Sequence, residues 1–451
     1  MAEFKDIIGY SSIKKELMQV ADVLLNKEYY EKLGVKVPKG LLLHGVPGVG
    51  KSLMAQALID TVDLPYYICR KNKPVSNFIY QIEKTFDEAS ENAPAIVYLD
   101  DMDKFANTDD DHSDYEEFVA IQAYIDKVKN EDVFVIATAN NLDNLPESLL
   151  RAGRFDRIIE VDTPTQKDAE EIIGHYLSNK KISSDCDIKA ITKIMNGNSC
   201  AELETVINEA GVYAGYERCD SIKMEHFLKA AIRVLMHIPE SAINRSEDED
   251  TEQIRHIAYH EAGHAVVREV LDSGSVTLVS TFGTSSIRHR GIMACCPDKS
   301  LLYSRKREID IYTSLGGKAS VENKFATIDT GAVTDLKDAY LNIKDLIATK
   351  AINGFALYSK RPGNCTEALD ERQEIVASAE MERYYLKTRR ILLENNEFLE
   401  KVVQALMEKK ILCSVDIERI KASCEIVSFE LQSPDLQDKT STHHPLAMPS
   451  L

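Results

Sequence analysis

Short apolar runs divide the first part of the chain into strand-sized and helix-sized segments. Residues 40–44, 95–99 and 133–138 are mainly apolar, which is typical of parallel strands that are buried on both faces. Between them, segments such as FIYQIEKTFDEASENA carry apolar residues at helical spacing. The alternation predicts a doubly wound α/β domain with a parallel sheet over residues 1–163.

After this domain the pattern becomes wholly helical. Residues 164–237 contain three stretches with helical spacing and predict a small helical domain. A polar, acidic stretch with a proline follows at 238–252 and is typical of a linker. Residues 253–427 predict a second, mainly α-helical domain with a short β-like insert at 274–296. The composition of residues 428–451 is typical of a disordered tail.

Charge and composition exclude several classes of protein. The formal net charge of −19 argues against a nucleic-acid partner, because binding phosphate backbones requires a basic face. No apolar run reaches the ~18 residues that indicate a membrane span. The nine cysteines include no CxxC pair, which suggests reduced thiols. We therefore expect a soluble, cytoplasmic protein.

The segment GVPGVGKS matches the phosphate-loop pattern G-x-x-x-x-G-K-[ST] between a predicted strand and a predicted helix. Its glycines allow backbone N–H groups to turn towards phosphate oxygens. Lys51 supplies a positive charge for the outer phosphates, and Ser52 offers a hydroxyl to Mg²⁺. The motif predicts nucleotide contacts from eight residues: Gly45, Val46, Pro47, Gly48, Val49, Gly50, Lys51 and Ser52.

Polar residues follow the next two predicted strands. Asp100 is placed to hold Mg²⁺ through water, and Asp101 to orient the water that attacks the nucleotide. Asn140 is placed to contact the terminal phosphate or that water. Arg151 and Arg154 follow in LLRAGRFDR, where they are either surface residues or act on the nucleotide of a neighbouring subunit. Spacing alone does not decide between these two roles.

A possible metal site lies in the helical segment TEQIRHIAYHEAGHAVVREVL. His260 and His264 lie one helical turn apart on the same face, so both imidazoles can reach one zinc ion. Glu261 is placed to take a proton from the metal-bound water. The alternative is a helix with two partly buried histidines, but the phosphate loop earlier in the chain favours a metallopeptidase. Spacing does not identify the third zinc ligand.

Five segments in this order resemble the FtsH family of ATP-dependent zinc proteases, from about residue 3 to 425. The resemblance implies an α/β AAA+ module with a helical lid, followed by a mainly α-helical zinc peptidase domain. It implies Zn²⁺, ATP and Mg²⁺ as cofactors, protein substrates that are unfolded and degraded, and a homo-hexamer in which Arg151 and Arg154 are arginine fingers. The segments are EFKDIIGYSSIKKEL, VPKGLLLHGVPGVGKS, APAIVYLDDMD, VIATANNLDNLPESLLRAGRFDR and HEAGH.

The same resemblance identifies a third zinc ligand. The segment SLGGKASVENKFATIDTGAVTDLKDAYLNIKDLI is similar to the family's helix pair around GGRAAEE and TGASNDL, and the match puts the ligand at Asp335. Glu322 is the second candidate, as a ligand or as a partner of one. We expect a substrate to add as a strand to an edge within 276–293.

Three departures from the family affect the functional prediction. The family is usually anchored by N-terminal membrane helices, whereas this chain starts at the ATPase. Asp101 stands where the family has glutamate. The family's aromatic pore loop should lie between Tyr67 and Ile82, where either Phe78 or Tyr80 replaces it or both are helix core. One alternative is therefore a chaperone-like or regulatory ATPase ring with a weak or vestigial peptidase. Another is a metallopeptidase that binds nucleotide mainly for assembly.

Overall fold

The chain forms two compact units, Met1–Leu235 and Met236–Leu451. Parts of the predicted linker, pore loop and substrate edge, and most of the predicted tail, lie outside the residues that the structure describes. The structure, a computed structural model, describes residues 4–71, 78–105, 116–151, 153–243, 251–283, 291–296, 303–327, 331–359 and 366–431.

A parallel sheet of five strands lies at the centre of the first unit. Its strands are β1 (Gly40–His44), β2 (Tyr66–Arg70), β3 (Ala95–Asp100), β4 (Val133–Ala139) and β5 (Arg157–Glu160). They lie in the order β2-β3-β4-β1-β5, and every neighbouring pair is parallel. The three predicted strands are confirmed as β1, β3 and β4, which are buried along almost their whole length. The sheet brings the ends of β1, β3 and β4 to one edge, where a ligand can be bound.

Helices cover this sheet and then form a separate group after β5. The first group is α1 (Ser11–Leu25), α2 (Lys27–Lys32), α3 (Lys51–Val62), α4 (Phe78–Glu91) and α5 (Glu116–Lys127). The second group is α6 (Gln166–Leu177), α7 (Ile188–Ile194), α8 (Cys200–Tyr216) and α9 (Met224–Leu235). Capping boxes fix the starts of α6 and α8, because Thr165 and Ser199 each exchange hydrogen bonds with the acid three residues later.

The second unit is mainly helical, as the sequence predicts. Its helices are α10 (Glu240–Ile243), α11 (Thr251–Leu271), α12 (Tyr303–Phe325), α13 (Val333–Lys350), α14 (Glu367–Glu394), α15 (Asn396–Lys409) and α16 (Ser414–Ala422). A small antiparallel sheet consists of β6 (Val276–Ser280), β7 (Ile292–Cys295) and β8 (Ile411–Cys413), in the order β7-β6-β8. No helix in the described part of the chain combines the length and the apolar character needed to cross a membrane.

The backbones of α11 and α12 touch where two glycines meet. A Cβ atom added to Gly263 would lie 2.4 Å from the carbonyl oxygen of Gly316, and one added to Gly316 would lie 2.6 Å from that of Gly263. Only glycine allows such an approach. One end of the same helix pair is held by the ring of His256, which stacks on Phe325 with centroids 3.8 Å apart. The close crossing brings the middle of α12 against the HEAGH turn of α11.

Candidate functional site

The predicted phosphate loop connects the end of β1 to the start of α3. Gly45, Gly48 and Gly50 have φ values of 146°, 81° and 97°, which favour glycine because a Cβ atom would be strained there. Gly50 is the N-cap residue of α3, so Lys51 begins the helix. The loop therefore directs the positive end of a helix dipole towards the space that a phosphate would occupy.

Lys51 and Asn140 meet at this loop from different parts of the fold. The buried Lys51 Nζ donates to the carbonyl oxygens of Gly45 and Val46 at 2.7 and 2.9 Å, and to Asn140 Oδ1 at 3.0 Å. Burial lowers the pKa of Lys51, although the nearby carboxylate of Asp101 opposes this shift. The structure thus brings Lys51 and Asn140, two of the predicted nucleotide contacts, into direct hydrogen-bond contact.

One oxygen of Asp100 accepts hydrogen bonds from three hydroxyl groups. The donors to Oδ1 are Ser52 Oγ at 3.2 Å, Tyr98 OH at 2.8 Å and Thr138 Oγ1 at 2.9 Å. These bonds fix the carboxylate beside Ser52, the other predicted Mg²⁺ contact. Thr138 was not predicted as part of the site, although it is a polar side chain within the otherwise apolar β4 and is fully buried.

Asp101 lies next to this carboxylate but faces different partners. It has a φ of 56°, and its N–H donates to Thr138 Oγ1 at 2.9 Å. Its Oδ2 lies 2.7 Å from Lys104 Nζ and 4.0 Å from Arg70 Nη2. Asp101, which stands where the family has glutamate, therefore pairs with Lys104 of its own chain.

The two candidate arginine fingers differ in their surroundings. Arg151 is exposed. Arg154 is half-buried, with Nη2 2.7 Å from Asp126 Oδ2 and with Nη1 donating to the carbonyl oxygen of Ser148. Arg154 is thus bound within its own subunit.

The candidate pore aromatics also differ. Phe78 is only 3% exposed and packs edge-on against Phe105, with ring centroids 4.8 Å apart. Tyr80 is 57% exposed on the same helix, α4. Phe78 therefore belongs to the helix core and not to a pore loop. Tyr80 is accessible, so it stays a candidate for the pore aromatic. Residues 72–77 of this segment lie outside the described residues.

In the second unit, three predicted ligands converge from α11 and α13. His260 Nε2 lies 3.1 Å from His264 Nε2, and Asp335 Oδ2 lies 3.2 Å from the former and 3.6 Å from the latter. Two ligands ~2.0–2.1 Å from a tetrahedral zinc ion lie about 3.3 Å apart. The spacing and the donor set, two imidazoles and a carboxylate, therefore fit zinc.

A hydrogen bond fixes the orientation of the second imidazole. His264 Nδ1 lies 2.7 Å from the carbonyl oxygen of Thr313, which can only accept, so Nδ1 carries the proton. The N–H of Gly317 lies 3.3 Å from the same nitrogen, but this contact is the longer one. The Nε2 lone pair then faces Asp335 and is available to a metal. Thr313 was not predicted, because its contribution is a main-chain oxygen.

Asp335 is suited to remain ionised at this position. It lies in the first turn of α13, where the helix dipole favours a negative charge. Burial alone would raise the pKa of Asp335, but the adjacent imidazoles of His260 and His264 outweigh it and hold the pKa well below its usual value. Glu322, the second candidate, is not in this group. It accepts hydrogen bonds from Lys318 and Tyr385 instead, so the expectation that it could serve as a ligand was wrong.

Glu261 lies beside the ligand group and under the edge of the small sheet. Its side chain is 6% exposed. A Cβ atom added to Gly291, the residue before β7, would lie 2.5 Å from Glu261 Cγ and 2.7 Å from Oε1. The backbone at the start of β7 therefore packs against the Glu261 carboxylate. The rest of the predicted substrate edge, residues 284–290, lies outside the described residues.

A second group of three possible ligands occurs in the first unit, where Glu217, Cys219 and His226 approach one another. The N–H of Lys223 donates to His226 Nδ1 at 2.9 Å, so the proton of a neutral ring is on Nε2, which faces Glu217 Oε2 at 3.1 Å. Both ring nitrogens of this fully buried histidine are thus satisfied by the protein. The geometry favours a structural role for this group.

Comparisons with known proteins match both units. The model of the ATPase family associated with various cellular activities (AAA) matches residues 41–163, and that of peptidase family M41 matches residues 248–420. The chain is 31% identical to the ATP-dependent zinc metalloprotease FtsH of Caldicellulosiruptor bescii, over 92% of this chain and 71% of the relative. It is 30% identical to the protein of the same name from Thermus thermophilus, over 96% and 72%.

The matches extend over both units. The phosphate loop of the first unit and the histidine pair of the second therefore fall within regions that match an ATPase family and a peptidase family. The AAA match and the zinc metalloprotease relatives give ATP, Mg²⁺ and Zn²⁺ as the cofactors. The predicted α/β module followed by a helical peptidase domain is confirmed. The chain belongs to the FtsH family of ATP-dependent zinc metalloproteases.

Proposed function

We propose that this protein is an endopeptidase in which His260, His264 and Asp335 hold the catalytic zinc ion and Glu261 is the general base. The observation that carries the proposal is the convergence of the three ligand atoms, all within 4.8 Å of one another. Three protein ligands leave one coordination position for water or substrate, which is the arrangement of a catalytic rather than a structural zinc site.

Each residue of the site has a separate role. When bound, zinc supplies the Lewis acidity that polarises the peptide carbonyl and acidifies water. Glu261 accepts a proton from the attacking water at its carboxylate and later donates it to the leaving amine nitrogen. The carbonyl of Thr313 holds His264 in the tautomer that presents Nε2. Asp335 remains ionised and completes the ligand set.

The substrate is proposed to bind as an added strand. β7 is an edge strand of its sheet, so one row of its main-chain groups has no partner strand among the described residues. An extended peptide can pair with that row, and its side chains then alternate between the sheet and solvent. Because Gly291 packs on Glu261, a peptide along β7 passes close to the proposed base. This arrangement suits an unfolded protein chain better than a small substrate.

The first unit is proposed to drive unfolding with ATP. Lys51 and Asn140 are placed for the outer phosphates, Ser52 and Asp100 for Mg²⁺, and Asp101 for the attacking water. We propose residues 1–163 as the nucleotide-binding domain, 164–237 as its lid, 238–252 as the linker, 253–427 as the peptidase domain and 428–451 as a tail.

We also propose assembly as a homo-hexamer, in which an arginine finger contacts the nucleotide of the next subunit. A regulatory ring with a vestigial peptidase is not favoured, because the three ligands and the base are all present. The observation against that alternative is that one ligand atom from each of His260, His264 and Asp335 lies within 4.8 Å of the other two.

The test is the Glu261→Gln variant, assayed for zinc content and for cleavage of unfolded casein. We expect zinc to remain at one per chain while cleavage falls by about 10²–10⁴-fold, since Gln cannot accept the proton. Glu252→Gln is the matched control, because Glu252 lies on the same helix but is exposed. Full activity in Glu261→Gln, or equal losses in both variants, would contradict the proposed mechanism.

A further inference from the structure

Gly317 faces the two proposed zinc-binding imidazoles from α12. A Cβ atom at this position would lie 2.5 Å from His264 Nε2, 2.7 Å from His260 Nε2 and 2.6 Å from His260 Cε1. Non-bonded heavy atoms are normally about 3.5–4.0 Å apart. Even a methyl group at position 317 would therefore occupy space at the very nitrogen atoms that present their lone pairs to the metal.

The neighbouring glycine has a different environment. A Cβ atom at Gly316 would meet the carbonyl oxygen of Gly263 at 2.6 Å and the Cα atom of His264 at 3.0 Å, which are main-chain atoms of α11. Gly316 thus permits the contact between the two helices, while the atoms closest to position 317 belong to ligand side chains. Two adjacent glycines in the interior of a 23-residue helix disfavour that helix, so each calls for a physical reason.

We propose that Gly317 is a positioning residue of the zinc site: its lack of a side chain keeps open the space in front of His260 Nε2 and His264 Nε2. With any larger residue, the two rings must rotate away or the metal must be displaced. Because α12 supplies both Gly317 and the Thr313 carbonyl, one helix orients a ligand and leaves room for the ion. The inference rests on the proposed zinc ligands.

The first test measures zinc affinity by competition with a chromophoric chelator. Gly317→Ala is expected to bind zinc at least about 100-fold more weakly than the wild type. Gly215→Ala in α8 is the matched control, because a Cβ atom there has no neighbour within 4 Å, and it should bind zinc normally. Unchanged affinity in Gly317→Ala overturns this inference. If His260→Ala also binds zinc normally, the proposed function itself fails.

The second test needs no metal and locates the clash. Melting temperatures of the metal-free protein are compared for Gly317→Ala alone and in a His260→Ala/His264→Ala background. We expect a lower melting temperature in the first case and an equal or higher one in the second, because alanine favours the helix once the rings are gone. Equal losses in both backgrounds overturn the inference. If Gly317→Ala alone does not fold, recovery of folding in the triple variant supports it and failure to recover overturns it.

Discussion

Arg154 is paired at two points with Asp126 of its own chain. Its Nη2 lies 2.7 Å from Oδ2 and its Nε lies 3.3 Å from Oδ1. Such paired contacts fix a guanidinium geometrically as well as electrostatically. Arg151, three residues earlier, is exposed and has no ion pair among the residues described. Of the two proposed arginine fingers, Arg151 therefore has the guanidinium that is accessible to a neighbouring subunit.

This difference predicts separate effects for the two arginines. Arg151→Ala should lower ATP turnover by about 10³-fold or more, the usual contribution of an arginine finger, with an unchanged melting temperature. Arg154→Ala should instead destabilise the first unit by about 1–2 kcal/mol, mainly by leaving the Ser148 carbonyl without its donor. Steady-state ATPase assays and thermal melts of both variants check this. Full turnover in Arg151→Ala would exclude it as a finger.

Because Asp101 stands where the family has glutamate, we predict slow ATP hydrolysis and a faster rate when glutamate is restored. Asp101 reaches one methylene less far than glutamate, and its carboxylate pairs with Lys104. We expect Asp101→Glu to raise ATP turnover by about tenfold, because a misplacement of ~1 Å can cost ~10²-fold in rate. Lys51→Ala gives the background rate of the same assay. A lower rate in Asp101→Glu would mean that the shorter carboxylate is already at its working distance.

The different exposure of Phe78 and Tyr80, both on α4, predicts that one substitution affects stability and the other affects the degradation of folded substrates. Phe78→Ala should destabilise the protein by about 3–5 kcal/mol, because it leaves a cavity beside Phe105. Tyr80→Ala should leave stability unchanged, since the ring is exposed, but should slow the degradation of a folded substrate relative to casein. Urea unfolding and paired degradation assays measure the two effects. Equal degradation of both substrates by Tyr80→Ala would remove Tyr80 from the pore.

Asp416, in the first turn of α16, is predicted to make the free energy of unfolding depend on pH. Burial would raise the pKa of Asp416, but hydrogen bonds from Lys409 and from the Cys413 N–H outweigh it, so the pKa lies below its usual value. The ionised form therefore stabilises the fold above the unfolded pKa of ~3.9, and this contribution is lost as the pH falls through the lower folded pKa. Asp416→Asn should cost about 1 kcal/mol at neutral pH.

Urea unfolding of wild type and Asp416→Asn at neutral pH and near pH 3 checks this term. The difference between them should shrink at the lower pH, because below the unfolded pKa of ~3.9 the unfolded wild type binds a proton at Asp416 that the folded carboxylate resists. Glu425→Gln is the control, since Glu425 is exposed beyond the end of the helix. A difference that stays constant with pH would assign the effect to packing and not to charge.

The strands that could be predicted from the sequence are the ones buried on both faces. β1, β3 and β4 are central and covered on both faces, so they appear as continuous apolar runs. β2 and β5 form the two edges of the sheet, and side chains such as Tyr66 and Ile68 are exposed. β5 has only two apolar residues in succession, and the four in β2 include two tyrosines and end at an arginine. Both edge strands were missed. β8 has only three residues, too few for any periodicity.

The site shows the same division between local and tertiary information. His260 and His264 were predictable because helix geometry alone puts residues four apart on one face. Asp335 comes from α13, and no spacing rule connects it to α11, so only the family resemblance identified it. The proposed role of Gly317 could not be predicted from the sequence, because it depends on which atoms occupy the space beside the glycine. Those atoms belong to His260 and His264, on another helix.

One contact links the phosphate loop to the start of α8. The N–H of Ala201, in the first turn of α8, donates to the carbonyl oxygen of Gly48 at 3.0 Å. A Cβ atom on Gly48 would also lie only 2.9 Å from Ala201 Cβ. Rotation of the Gly48–Val49 peptide unit would stretch this bond. We therefore expect the deuterium uptake of the Ala201 amide to change whenever nucleotide binding moves the Gly48 carbonyl.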